Sequence, residues 1–218
     1  MRNQSFTALR KNAMERIRKE GVLMTLWLHL RFRLTKIGIV INLFYYIKEV
    51  LPSDIPAPLT TLPEGFTFST FGPEEIEAIS RHPERKGYTT EQYVLDNFNK
   101  GDTCLGIKHR GQIAGFTWFS LQESRCKFYP SIMKADEAYL YDMYVFKAFR
   151  GRNLAPILRY KNYEILRDLG RDTFYSVTDC RNRAALRFKQ KLNARIVFLG
   201  IHVNLFKKYC NRWVLRRY

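Results

Sequence analysis

The most informative stretch of the chain reads Val145-Phe146-Lys147-Ala148-Phe149-Arg150-Gly151-Arg152-Asn153-Leu154-Ala155. The residues before it, 138–145, are mostly aromatic or apolar, which favours a buried strand. The residues after it carry apolar side chains at helical spacing as far as Gly170, a natural helix stop. The stretch is therefore predicted to be a cationic turn that joins a strand to a helix.

A turn of this kind is suited to bind phosphate. The first backbone N–H groups of a helix have no partner within it, and the helix dipole adds partial positive charge there. Arg150 and Arg152 are able to add charge-assisted hydrogen bonds to the same anion. The turn alone is not specific, because an ordinary solvated helix start has a similar composition.

A second motif lies downstream and reads Asn182-Arg183-Ala184-Ala185-Leu186-Arg187-Phe188-Lys189-Gln190-Lys191-Leu192-Asn193-Ala194. Together the two motifs resemble the GNAT N-acyltransferase superfamily. In that superfamily the turn has the pattern Gln/Arg-x-x-Gly-x-Gly/Ala and binds the pyrophosphate of acyl-coenzyme A. Arg150 and Ala155 match the two ends of the pattern, whereas Asn153 replaces its central glycine. Asn tolerates left-handed backbone better than most residues, so the turn is expected to form.

The resemblance implies an α/β fold with a mixed central sheet flanked by helices, and the predicted alternation of strands and helices agrees with it. The expected domains are a basic amphipathic helical extension over 1–36 and a GNAT-like acyltransferase domain over 37–218. The helix of the extension is predicted over 5–34. The other predicted elements are strands at 37–47, 66–71, 103–109, 112–121, 138–146 and 173–178, helices at 73–80, 89–99, 154–169 and 183–192, and a closing strand pair around 194–209.

The resemblance also implies the site that binds the acyl-CoA co-substrate. The backbone of the strand would hold the pantetheine arm, the turn would hold the pyrophosphate, and the second motif would lie near both. The residues so implied are Met143, Val145, Arg150, Gly151, Arg152, Asn153, Leu154, Ala155 and Asn182.

Catalysis requires a neutral amine, so a group that accepts the amine proton helps. In the superfamily a carboxylate on the strand before the turn often has this role. That implies Asp142 as the base, with Glu137 and Tyr144 as further catalytic candidates. Strict alternation along the strand would place Asp142 and Tyr144 on one face. A structural alternative is that Asp142 pairs with one of the many arginines, and the sequence leaves both alternatives open.

Phe188 departs from the superfamily pattern. Many members have a Tyr at this position that protonates the leaving thiolate, and Phe has no hydroxyl group. Three alternatives follow: another group donates the proton, the thiolate leaves unassisted, or the protein binds an acyl thioester without efficient turnover.

The charge of the chain is large and segregated. The net charge is 37 − 20 = +17, made up of 10 − 3 = +7 over 1–50, 9 − 13 = −4 over 51–146 and 18 − 4 = +14 over 147–218. Suitable partners are the phosphates of coenzyme A, an acyl carrier protein, an anionic membrane surface or nucleic acid. Nucleic acid is supported by charge alone, because the sequence has no RNP, zinc-finger or helix-turn-helix signature.

The remaining features concern location and metals. The four cysteines are widely spaced, which favours reduced thiols in the cytoplasm. The four histidines are isolated from one another, so no metal is predicted. Neither a transmembrane helix nor a secretory signal is predicted. A basic helix containing Trp27 suits peripheral binding at the inner membrane surface, although packing on its own domain or on a second subunit in a homodimer is the alternative.

The predicted function is therefore an N-acyltransferase that moves an acyl group from acyl-CoA, acetyl-CoA or longer, or from acyl carrier protein, to an amine acceptor by direct attack on the thioester. The alternatives are a non-catalytic acyl-CoA-binding protein and a nucleic-acid-associated basic protein.

Overall fold

The computed structural model describes residues 22–51, 61–86, 91–126, 129–206 and 208–218. The helices in these ranges are α1 (Val22–Lys36), α2 (Pro73–Arg81), α3 (Glu91–Asn99), α4 (Leu154–Asp168) and α5 (Arg183–Lys191). The strands are β1 (Ile39–Val50), β2 (Phe66–Thr70), β3 (Thr103–His109), β4 (Gln112–Ser120), β5 (Glu137–Val145), β6 (Thr173–Asp179), β7 (Arg195–Leu205) and β8 (Tyr209–Arg217). Short 3-10 turns lie at Pro83–Arg85 and Lys147–Phe149.

The described strands form one mixed sheet in the order β2-β3-β4-β5-β6-β1-β7-β8. β5 and β6 are parallel, and α4 connects them, because parallel neighbours need a crossover connection. The pairs β2–β3, β3–β4, β4–β5 and β1–β6 are antiparallel. A mixed sheet with flanking helices confirms the predicted fold class.

Two apolar clusters pack the sheet against its helices. In one, Phe116 and Trp118 of β4 pack with Ile76 and Ile79 of α2. In the other, Tyr163 of α4 packs with residues of β3, β4, β5 and β6. The central strands are buried on both faces, which explains their nearly continuous apolar sequences.

The chain groups into two compact units. Among the described residues, the first comprises those within 22–43 and 200–214, and the second comprises those within 44–199 and 215–218. Both sequence motifs belong to the second unit. The predicted domains, 1–36 and 37–218, stay a prediction, because residues 1–21 lie outside the described residues. In the described part of the chain, no helix has the length and apolar character needed to cross a membrane.

Several predicted boundaries need correction. The helix predicted over 5–34 is described only from Val22, and it continues to Lys36. β1 begins at Ile39 rather than at 37, because the helix is followed by a turn at Gly38, whose φ is +83°. β8 runs to Arg217, well past the predicted closing pair. All nine of its residues are exposed, so it has no alternation of buried and exposed positions from which to predict a strand.

Candidate active site

The sheet opens between β5 and β6. The two strands pair only through Glu137↔Thr173, Ala138↔Phe174 and Tyr139↔Tyr175, at the start of each strand. Beyond this point β5 remains paired with β4, and β6 remains paired with β1. The two parallel strands therefore diverge toward their carboxyl ends. In open α/β sheets this edge, where neighbouring strands separate, is a common place for ligands.

A β-bulge lies in β5 beside this opening. Phe116 pairs with Tyr144 and Trp118 pairs with Tyr141, so Asp142 and Met143 face one residue of β4. Asp142 has a φ of +42°, a conformation that is costly for a residue other than glycine. A bulge bends its strand and redirects the side chain. Strict alternation through Asp142, which the sequence suggested, is therefore wrong.

Asp142 forms an ion pair with Arg85. Nη2 of Arg85 donates to both carboxylate oxygens at 2.7 Å. The side chain of Arg85 is 3% exposed and that of Asp142 is 20% exposed. The guanidinium carbon also lies 5.2 Å from the ring centroid of Phe116 and 5.1 Å from that of Tyr144. Burial raises the pKa of Asp142 above its ordinary value, although Arg85 opposes this shift. The arginine pairing that the sequence left open is thus present.

Tyr144 connects this ion pair to the turn. Its hydroxyl donates to Glu84 Oε2 at 2.9 Å and accepts from Arg150 Nη2 at 3.1 Å. Arg150 Nε also donates to the carbonyl of Val145 at 3.0 Å. Burial and the hydrogen bond to Glu84 raise the pKa of Tyr144, so the phenol is protonated at neutral pH.

Glu137 is not brought to this region. It begins β5, eight positions before Val145, so the two residues lie roughly 27 Å apart along the strand. Its carboxylate accepts from the backbone N–H of Lys134 at 3.1 Å and lies 3.5 Å from the hydroxyl of Tyr175.

The turn has the geometry of an anion-binding loop. Asn153 is the N-cap of α4 and has φ +59° and ψ +19°, the left-handed conformation that the sequence predicted it would tolerate. Gly151 has φ +81°. Within the described residues, the backbone N–H groups from Gly151 to Ala155 donate to no protein acceptor. These unpaired donors stand at the positive end of the α4 dipole.

A cavity of about 530 Å³ joins the two sequence motifs. Its volume lies within the usual range for ligand sites. The turn and the start of α4 form one wall, and α5 forms the other. The lining residues are Val145, Phe149, Arg150, Gly151, Asn153, Leu154, Ala155, Pro156, Ala184, Arg187, Phe188 and Lys191.

The cavity differs from the predicted site in several residues. Arg150 lines it, whereas the guanidinium of Arg152 lies 5.8 Å from the ring centroid of Phe66 and does not. Met143 is also absent from the lining residues. Asn182 caps α5, because its Oδ1 accepts from the N–H of Ala185 at 3.1 Å.

Two cations that the sequence analysis did not select, Arg187 and Lys191, line the cavity from α5. They lie four residues apart on one helix face, a spacing that could have indicated them once the helix was assigned. No carboxylate lines the cavity among the described residues. Its electrostatic character is therefore positive, and it suits an anion.

A buried ionic cluster holds the cavity walls in place. The carboxylate of Glu49 on β1 lies 3.1 Å from Lys189 Nζ of α5 and 3.6 Å from Arg159 Nε of α4. It also accepts from the hydroxyls of Tyr163 and Ser176. Burial alone would raise the pKa of Glu49, but the two cations and two hydroxyls lower it to about 2. Burial lowers the pKa of Lys189 to about 8.

The described residues contain no group of three or more His, Cys, Asp or Glu side chains placed to hold a metal ion. The functional groups in this region are a carboxylate, a phenol and unpaired backbone amides beside a cationic cavity. These groups are able to bind a phosphate-bearing ligand and to move protons.

The comparisons with known proteins show the family and the fold. A sequence profile of the acetyltransferase (GNAT) family matches residues 71–194. The chain therefore belongs to the GNAT acetyltransferase family, as its two motifs predicted. This is a family of acyl-transferring enzymes with acetyl-CoA as co-substrate. No curated protein matches the chain by sequence.

Solved structures show the same fold at low sequence identity. The tandem GNAT protein from the clavulanic acid biosynthesis pathway is 17% identical, with a TM-score of 0.55 over 80% of this chain and 52% of that one. A GCN5-related N-acetyltransferase from Sphaerobacter thermophilus is 17% identical, with a TM-score of 0.54 over 85% and 56%. Ard1 from Thermoplasma volcanium is 16% identical, with a TM-score of 0.52 over 70% and 99%. The chain spans just over half the length of the first two.

Proposed function

We propose that the protein transfers an acyl group from acyl-CoA to an amine by direct attack of the amine on the thioester. The observation that carries this proposal is the cationic cavity, which joins the anion-binding turn to α5 at the end of β5. Support also comes from family membership and from the partly exposed carboxylate of Asp142 at the bulge of the same strand.

The donor would bind through its phosphates at the turn. The free N–H groups from Gly151 to Ala155 would donate hydrogen bonds to the pyrophosphate at the start of α4. Arg150, Arg187 and Lys191 would neutralise its charge with charge-assisted hydrogen bonds. The pantetheine arm would then follow the opening between β5 and β6. There the strand edge of β5 has no β6 partner beyond Tyr139, which leaves backbone groups free to hydrogen-bond an amide-containing arm.

Asp142 would accept the proton of the attacking amine. Its side chain is still one-fifth exposed, so a polar group can reach it. Arg85 holds both carboxylate oxygens and fixes the carboxylate at the bulge. Because burial raises its pKa, Asp142 is a better proton acceptor than an ordinary surface aspartate.

Tyr144 would supply the proton that Phe188 cannot. Phe188 lines the cavity and has no hydroxyl group. The Tyr144 hydroxyl is protonated at neutral pH and hydrogen-bonded to Arg150, which lines the same cavity. Proton transfer from the Tyr144 hydroxyl to the departing thiolate would produce the free thiol of coenzyme A and leave a phenolate, which the hydrogen bond from Arg150 would stabilise. The phenolate would regain a proton from solvent while Asp142 releases the amine proton to solvent, so the two transfers balance. The regenerated phenol would again donate to Glu84.

The proposal also covers the molecule that donates the acyl group and the cellular compartment in which the protein acts. Acyl carrier protein presents the same pantetheine arm on a single phosphate, whereas coenzyme A adds the pyrophosphate that the turn would hold. This favours acyl-CoA as donor. The four free cysteines support a reducing compartment such as the cytoplasm.

A second candidate function is acyl-CoA binding without turnover, which Phe188 favours. Isothermal titration with acetyl-CoA and longer acyl-CoAs, followed by measurement of thiol release with a panel of amines, separates the two. Binding with amine-dependent thiol release supports the enzyme. Tight binding without release from any amine supports the binding protein, and no binding at all contradicts both.

A further inference from the structure

The first compact unit exposes apolar side chains at the point where two of its segments meet. The N–H of Phe206, in the turn between β7 and β8, donates to the carbonyl of Gly38 at 2.6 Å. On the two sides of this contact, Ile37 is 60% exposed and Phe206 is 64% exposed. We call the exposed side chains on these two segments the junction patch, which consists of Phe32, Lys36, Ile37, Phe206, Lys208 and Tyr209.

Cations and aromatic rings alternate within the junction patch. The ammonium of Lys36 lies 4.8 Å from the ring centroid of Phe32. The ammonium of Lys208 lies 5.4 Å from the ring centroid of Tyr209. Phe32 is 62% exposed and Tyr209 is 56% exposed, so the rings face solvent with a cation beside each. Long basic side chains placed this way can direct their charge to a headgroup layer while their stems cover apolar surface.

The two segments that carry the junction patch contain no acidic residues. Residues 22–43 contain Arg31, Arg33 and Lys36, residues 200–214 contain Lys207, Lys208 and Arg212, and neither segment contains Asp or Glu. The second unit differs, because its buried cations are paired with carboxylates. An all-positive surface with exposed apolar side chains is costly in water unless a partner supplies negative charge and an apolar phase.

We propose that the junction patch binds the surface of a membrane that contains anionic lipid. A bilayer interface supplies both requirements at once: negative headgroups for the cations, and an acyl boundary for Phe32, Ile37 and Phe206. A second copy of this chain would bring the same positive charge and be repelled. The binding is peripheral and does not depend on the proposed acyl transfer.

The test is co-sedimentation of the full chain with vesicles of phosphatidylcholine containing about one-third phosphatidylserine, and with pure phosphatidylcholine vesicles. The chain should sediment with the first and not with the second. Roughly 1 M salt, where the screening length is about 3 Å, should reduce this sedimentation. Replacing Lys36→Glu together with Lys208→Glu should weaken binding by about 25-fold or more, because each basic residue near an anionic surface contributes about fivefold.

The matched control is Lys100→Glu with Lys134→Glu, two exposed lysines of the second unit, which changes the net charge equally. This variant should keep most of its binding. A third variant, Phe32→Ser with Phe206→Ser, tests the apolar part and should also bind less. Circular dichroism and acetyl-CoA titration check that each variant is folded.

Three outcomes would overturn the proposal. The first is that the wild-type chain stays in the supernatant with both kinds of vesicle. The second is that the junction-patch variants bind as the control does. Self-association without vesicles, removed by the patch substitutions, would assign the patch to a second copy instead. Sedimentation with anionic vesicles only, lost in both patch variants and kept in the control, supports it.

Discussion

Glu49 and Asp142 are both carboxylates removed from water, and they behave in opposite ways. Glu49 is fully buried beside Arg159 and Lys189 and accepts from two hydroxyls, so its pKa falls to about 2. Asp142 is paired with Arg85, and burial raises its pKa. The number of cations and hydrogen-bond donors around a buried carboxylate thus decides whether its pKa falls or rises. With many donors a buried carboxylate stays charged and acts as an anchor, whereas with one cation it remains able to take up a proton.

The comparison extends to the cations. Around Glu49 the positive charges of Arg159 and Lys189 are paired with a carboxylate within the protein, and they fix α4 and α5 to the sheet. At the cavity, Arg187 and Lys191 have no carboxylate partner among the described residues. The first arrangement holds the walls of the site in position, and the second leaves charge available for a ligand.

Glu49→Gln should have the largest effect on stability. The substitution leaves Arg159 and Lys189 buried without a counter-charge, which costs about 3–5 kcal/mol in the free energy of unfolding. Urea denaturation measures it, and Glu74→Gln on the exposed surface is the control. A loss below about 1 kcal/mol would mean that Glu49 is not an anchor.

Asp142→Asn should affect turnover more than donor binding. If Asp142 is the base, kcat should fall by about 10²–10⁴-fold, the usual contribution of proton transfer by a positioned side chain. The KM for the thioester should stay near normal, because Asp142 does not line the cavity. Steady-state kinetics measure both constants. Full activity in this variant would return Asp142 to a purely structural role beside Arg85.

The contributions of Glu49 and Asp142 to stability should also change in opposite directions with pH. The pKa of Glu49 in the folded protein lies below its ordinary value of 4.5. Its stabilising contribution is therefore complete above pH 4.5 and is lost as the pH falls toward about 2. The loss should be a few kcal/mol, on the order of 1.4 kcal/mol per pKa unit. Asp142 has a raised pKa, so its ionisation lowers stability as the pH rises through that value.

Unfolding measured between pH 2 and 6 checks this difference. The acid loss of stability should be smaller in Glu49→Gln than in the wild type and should persist in Asp142→Asn, while the lowered pKa values of Glu75 and Glu84 leave a remainder in both variants. Identical acid profiles in the wild type and Glu49→Gln would show that other carboxylates cause the loss.

The smallest effect is expected at the turn. Arg150→Ala together with Arg152→Ala should weaken acetyl-CoA binding by about 1–3 kcal/mol, because charged hydrogen bonds to the phosphates are lost. Arg150 lines the cavity and Arg152 does not, so Arg152→Ala alone should change the affinity little. Isothermal titration of the double and single variants measures this. Unchanged affinity in the double variant would contradict the assignment of the turn.

Much of the fold near the site was predictable because its signals are local. The turn before α4 needs residues that adopt positive φ, and Gly151 and Asn153 supply them. The hairpin between β3 and β4 turns at Arg110 and Gly111, both of which have positive φ, and these two residues separate the strands predicted at 103–109 and 112–121. α5 was expected from the resemblance of the second motif to the superfamily, and Asn182, which the resemblance assigned to the co-substrate site, is the N-cap of this helix. Each of these depends on neighbours within a few residues, which a sequence displays directly.

The tertiary structure alone decided how the site is assembled. Arg85 lies 57 residues from Asp142, and Glu49 lies far from Lys189 along the chain, so no periodic pattern links either pair. The bulge in β5 and the opening beside β6 depend on how three strands pair. The charge of a buried group, and hence its pKa, depends on every element packed around it. Local propensity sets the elements, whereas long-range packing sets their chemistry.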